Sequence, residues 1–168
     1  MKNMKVIEDS TFAEMCKMYQ INKYEFKCLG EFILNSIIDE ICYKHIDSII
    51  CGLNESGSYS HDTKLIKINK DVFNEAFLNK ESFIYLIKVI LHESRHSWQY
   101  ANDWSFDDYI TPDPNMDYWS YINAFQAYKG NKAEIDANRY ADEAIKSINL
   151  NKLCKNIVYV IESYLSMM

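Results

Sequence analysis

Leu91 to Gln99 reads L-H-E-S-R-H-S-W-Q, and the arrangement of the whole chain follows from how this stretch is read. Two histidines four residues apart on a helix project from one face about one turn apart, close enough to share a metal ion. Zinc in a hydrolytic site takes three protein ligands and keeps a position open for water. His92 and His96 supply two of the three. Glu93, one residue on, stands beside the metal rather than on it, where its carboxylate can take a proton from water and pass it to a leaving amine. With four histidines and twelve glutamates in the chain, chance yields H-E-x-x-H in roughly one such sequence in 150. The context favours a site: Phe83, Ile84, Ile87, Ile90 and Leu91 recur at helical spacing, Asn79 is placed to cap, and a helix over Lys80–Ala101 is predicted.

A third ligand has to come from another element. In A-E-I-D-A-N-R-Y-A-D (Ala133 to Asp142), Glu134 lies 38 residues after His96 on a predicted helix. Asn138 shares its face, placed to hydrogen-bond a metal-bound histidine and fix its tautomer. Small Ala137 and Ala141 let two helices approach closely. Asp136 is a competing ligand on the other side of the same helix.

Working outward, Phe26, Leu29, Ile33, Ile37 and Ile41 predict a helix from Asn22 to Tyr43, preceded by a shorter one over Thr11–Tyr19. Ile46–Leu53 and Asp62–Asn69 read as strands of a two- or three-stranded antiparallel sheet, the second with Ile66 and Ile68 on one face, and N-E-S-G-S-Y-S-H between them reads as turn. The stretch from Asn102 to Asp117 holds Pro112 and Pro114 and reads as loop. Helices follow over Tyr118–Tyr128, Lys132–Ile148 and from Asn151 through Leu153, Ile157, Ile161 and Leu165. The expected fold class is α+β: one domain over 1–168, mostly helical, with a short antiparallel sheet packed on the motif helix.

At 168 residues, 48% hydrophobic and 25% charged, the chain has enough apolar material for one substantial core. A net charge of −6 and no basic cluster argue against nucleic acid and anionic membrane as partners. Five cysteines, an odd number without a C-x-x-C pair, read as reduced core thiols. No secretory leader and no run of about 18 apolar residues is visible, which predicts cytoplasmic synthesis and action. Four further side chains read less sharply. His45 with Cys42 and His61 read as surface or capping groups. Tyr128 is a candidate oxyanion donor, and Arg95 reads as solvated or as contacting the N-terminal helix.

The pattern H-E-S-R-H-x-x-Q followed by E-I-D-A-N-R-Y-A resembles the gluzincin branch of the zinc metallopeptidases. It is similar in particular to ImmA/IrrE-type peptidases and to the metallopeptidase domains attached to bacterial polymorphic toxins. The resemblance covers two helices, about a third of the chain. It implies a small zincin-like fold with His92, His96 and Glu134 as zinc ligands, Glu93 as general base and Asn138 orienting a ligand. It also implies that the strand Asp62–Asn69 offers its edge to an extended substrate. The expected function is hydrolysis of a peptide bond in a cytosolic protein or peptide. The alternative is a zinc-bound module that keeps the fold and binds a partner without cleaving it.

Overall fold

Apolar residues recur every three to four positions along much of the chain, and the computed structural model folds those stretches into helices; it describes residues 23–41, 47–53, 55–76, 79–104 and 115–166. In chain order the elements are α1 (Lys23–Ile41), β1 (Asp47–Cys51), β2 (Gly57–Ser60), β3 (Leu65–Asn69), α2 (Lys70–Glu75), α3 (Lys80–Ala101), α4 (Tyr118–Gly130), α5 (Lys132–Ala144), a 3-10 turn (Ile145–Ser147) and α6 (Leu150–Ser166). The α+β class is as expected. The short helix over Thr11–Tyr19, His45 with Cys42, and both prolines lie outside the described residues.

One core holds the elements together. Leu29, Ile33, Leu34, Ile37 and Ile38 of α1 meet Leu153, Ile157 and Ile161 of α6, Ile66 and Ile68 of β3, Phe73 of α2, and Leu86, Ile87 and Ile90 of α3. The spacing in each helix is that of a single buried stripe. Fully burying an Ile or Leu contributes about 1.5–3 kcal/mol, and this stripe is what seats α3 on the sheet.

The sheet is mixed, not antiparallel throughout, with strand order β1-β3-β2. β1 and β3 run parallel, Ser48 opposite Ile66 and Ile50 opposite Ile68. β2 and β3 run antiparallel, Tyr59 opposite Ile66. The two apolar strands are therefore parallel neighbours, and the polar stretch read as a turn contains a third strand. G-S-Y-S escapes an apolar-pattern reading because it has one large apolar residue, and as a half-buried edge strand it needs no more. The hairpin between β2 and β3 closes at His61–Lys64, where Lys64 takes the left-handed conformation (φ 52°). With β3 central, the strand that offers an edge beside α3 is β2. The short helix α2 was also unforeseen: Asn69 ends β3 and caps α2, its side chain accepting from Asp71 N at 2.7 Å.

Candidate metal centre

Helices α3 and α5 carry the residues singled out in the sequence. Asn79 caps α3 by accepting from Ser82 N at 2.8 Å, and Asn131 caps α5 by accepting from Ala133 N and Glu134 N. Cross-helix pairs form a ladder: Lys88 with Asp142, His92 with Asn138, His96 with Glu134 and Gln99 with Ala133. Residue numbers rise along α3 as they fall along α5, so the helices run antiparallel. Buried Ala133, Ala137 and Ala141 are the small residues that let them approach.

One rung of this ladder is the site. His92 Nε2 and His96 Nε2 are 3.0 Å apart, His92 Nε2 lies 3.2 Å from Glu134 Oε2, and His96 Nε2 lies 3.4 Å from Glu134 Oε1. All three side chains are largely buried. Ligands held about 2.0–2.1 Å from a tetrahedral ion stand roughly 3.3 Å from one another. The two distances to Glu134 run to its two different oxygens, so the carboxylate faces both imidazoles, and His92, His96 and Glu134 could hold a metal ion. Asp136, the competing carboxylate, is not among the group.

The imidazole protons can be assigned from the neighbours. Gln99 is fully buried, and its amide nitrogen donates to the Ala133 carbonyl at 2.9 Å and to Asp136 Oδ2 at 3.1 Å. Both partners are acceptors, so the amide cannot be turned over and Oε1 must face His96. His96 Nδ1 therefore donates to Gln99 Oε1 at 2.8 Å, leaving the lone pair of Nε2 at the centre. Asn138 Oδ1 lies 3.1 Å from His92 Nδ1, and with that oxygen as acceptor His92 donates and points its Nε2 lone pair inward. Two lone pairs and a carboxylate converge on one point, an arrangement that asks for a cation or for protons. Burial lowers the pKa of His96, but the hydrogen bond and charge of Glu134 and the charge of Glu93 outweigh it, and the net shift is upward.

Glu93 is buried on the same face. Burial pushes its carboxyl up to about 7, opposed by His92 and His96 and reinforced by Glu134 and Glu55. That value suits a group that must both take and return a proton near neutral pH. Gly57 of β2 lies directly over it: a Cβ there would stand 2.6 Å from Val89 Cγ1, 3.3 Å from Glu93 Cγ and 3.4 Å from Glu93 Oε1. Only glycine lets the edge strand come this close. A cleft of about 900 Å³ opens onto His92 and Glu93, bordered by Gly52, Leu53, Glu55, Ser56 and Gly57 and by Tyr121, Phe125 and Tyr128 of α4.

No protein-family model, curated protein or solved structure matched the chain.

The remaining residues sort as follows. Arg95, read as solvated or as contacting the N-terminal helix, is part-buried and crosses to α5, while the first helix lies outside the described residues; Arg95 Nε donates to Asp136 Oδ2 at 2.7 Å and its guanidinium lies 3.8 Å over the Trp98 ring. Burial raises Asp136, but hydrogen bonds from Arg95 and Gln99 lower it further, so it stays ionised below the usual carboxylate range. Tyr128 hydrogen-bonds to Glu134, and burial followed by the charge of Glu134 pushes its phenol far up, which keeps it a donor. His61 sits in the hairpin turn, as expected, and stacks on Tyr100 at 4.6 Å. Gln99 and Glu55 had no assigned role in the sequence. The only signal for Gln99 was its position three residues after His96.

Proposed function

We propose that this protein is a zinc-dependent metallopeptidase that hydrolyses a peptide bond in a cytosolic protein or peptide. The reading is carried by one observation: the Nε2 atoms of His92 and His96 are 3.0 Å apart and the Glu134 carboxylate faces both of them, at 3.2 Å and 3.4 Å. Two imidazoles with one carboxylate suit zinc better than magnesium or calcium, which prefer oxygen ligands throughout. Bound there, zinc supplies a Lewis acid that polarises a scissile carbonyl and lowers the pKa of water. Asn138 and Gln99 hold the two imidazoles in the ligating tautomer. Glu93 accepts one proton from the attacking water at its carboxylate as the new C–O bond forms. It returns that proton to the leaving nitrogen as the C–N bond breaks. The buried environment that raises the Glu93 pKa makes both transfers accessible at neutral pH. The motif pair's resemblance to gluzincins supports the same assignment, as does the position of β2, whose free edge borders the cleft.

Metal analysis of the purified protein tests this, together with cleavage of a peptide library. We expect one zinc per chain, lost in His96→Ala. Glu93→Gln should keep the zinc and lose about 10²–10⁴-fold in turnover. Absence of stoichiometric zinc, or full activity in Glu93→Gln, would overturn the proposal. Zinc-loaded protein that binds a peptide and leaves it intact would replace it with the non-cleaving binding module.

A further inference from the structure

The cleft carries a charge that the peptidase chemistry does not use. Glu55, two residues before β2, lines it and makes no hydrogen bond or ion pair among the described residues. The lysine that also lines the cleft, Lys88, is tied to Asp142 at 2.5 Å. Lys67 on β3 bears on Glu55 through its charge without forming an ion pair. The α4 side of the cleft adds aromatic rings: Tyr121, Phe125 and Tyr128 follow one another at four and three residues along the helix, Tyr121 and Phe125 stacked at 6.1 Å; Lys129 Nζ already lies 4.5 Å over the Phe125 ring, which leaves Tyr121 and Tyr128 as the rings for an incoming cation.

A carboxylate without a partner and a row of ring faces in one cleft favour the same chemistry. A guanidinium or ammonium gains a charge-assisted hydrogen bond from the first and a cation–π contact from the second. An acidic side chain would meet Glu55 and be repelled. We infer that the cleft selects peptides bearing arginine or lysine next to the scissile bond, and that Glu55 is the specificity-determining residue that pairs with that side chain. The inference rests on the peptidase reading for the word scissile, though not for the recognition itself.

The test uses zinc-loaded full-length protein and peptides identical except for arginine, norleucine or glutamate at one position scanned along the sequence. Cleavage is followed by mass spectrometry. Binding is followed by fluorescence anisotropy on the Glu93→Gln protein, which separates recognition from turnover. Glu55 is exposed, so its substitution should not disturb folding, and thermal melting checks this. In the wild type, arginine should be preferred over norleucine about tenfold in kcat/KM and in affinity, the scale of one good charge-assisted contact. Glu55→Gln should bring the ratio near one, and Glu55→Lys should shift preference toward glutamate. An unchanged ratio in Glu55→Gln, or no basic preference in the wild type, overturns the inference while leaving the peptidase intact. Selective, Glu55-dependent binding without any cleavage overturns the peptidase and supports the inference. Neither cleavage nor selective binding overturns both.

Discussion

At the residue scale, Gln99 decides which nitrogen of His96 faces the centre. Its amide is held by two acceptors, Ala133 O and Asp136 Oδ2, and has one oxygen left for His96 Nδ1. Gln99→Met removes that acceptor at nearly constant volume. It should lower zinc affinity about 10–100-fold, read by competition with a chromophoric chelator; undiminished affinity would show that the imidazole needs no such hold. The same cluster sets a pH dependence in the metal-stripped protein. Glu93 goes from an ordinary 4.5 to about 7 on folding. Between those values the folded chain keeps a proton that the unfolded chain has released, so stability falls as pH rises through the window. His96, raised from 6.5, acts in the same direction: its contribution is complete below the ordinary value and is lost as pH passes the folded one. The urea midpoint without metal should be higher at pH 5 than at pH 8. Zinc must displace these protons, so its affinity should rise over the same range. A midpoint that climbs from pH 5 to 8 would contradict the assignment.

At the element scale, the contact between β2 and α3 places Glu93. Gly57 allows an approach that a methyl group would block, since its Cβ would stand 2.6 Å from Val89 Cγ1. Gly57→Ala should cost about 1–3 kcal/mol, the usual range for overpacking, as a lower urea midpoint. Adding Val89→Ala should recover part of that loss, and a double variant no better than the sum of the two would mean the strand is not held where Gly57 puts it. Helix positions were readable because the evidence for them is local: the stripe Leu86, Ile87, Ile90 and the cap Asn79 lie within one turn or two of each other. β2 was not readable in this way. Its four residues carry no alternation, and their strand character comes from pairing with β3.

At the scale of the whole molecule, the core and the site share α3. One side of that helix is buried with Leu86, Ile87 and Ile90 in the core, and the other meets α5 at His92 and His96. Metal binding to the folded chain alone should therefore stabilise the entire unit, by about 2.7 kcal/mol when zinc is at a hundred times its dissociation constant. The melting temperature should rise with zinc, fall with a chelator, and be indifferent to both in His96→Ala; equal melting with and without zinc would count against a site built into the core helix. Among the described residues no helix is long and apolar enough to cross a membrane. The amino-acid sequence alone determined the long helices though not the short α2, the shared face of His92 and His96, the position of Glu93 beside them, and Glu134 and Asn138 on one face of another helix. Each of these depends on spacing within one element. The parallel pairing of β1 with β3, the edge at β2, the crossing of Arg95 to Asp136 and the orientation of Gln99 were decided by tertiary structure, because each depends on partners dozens of residues away in the chain.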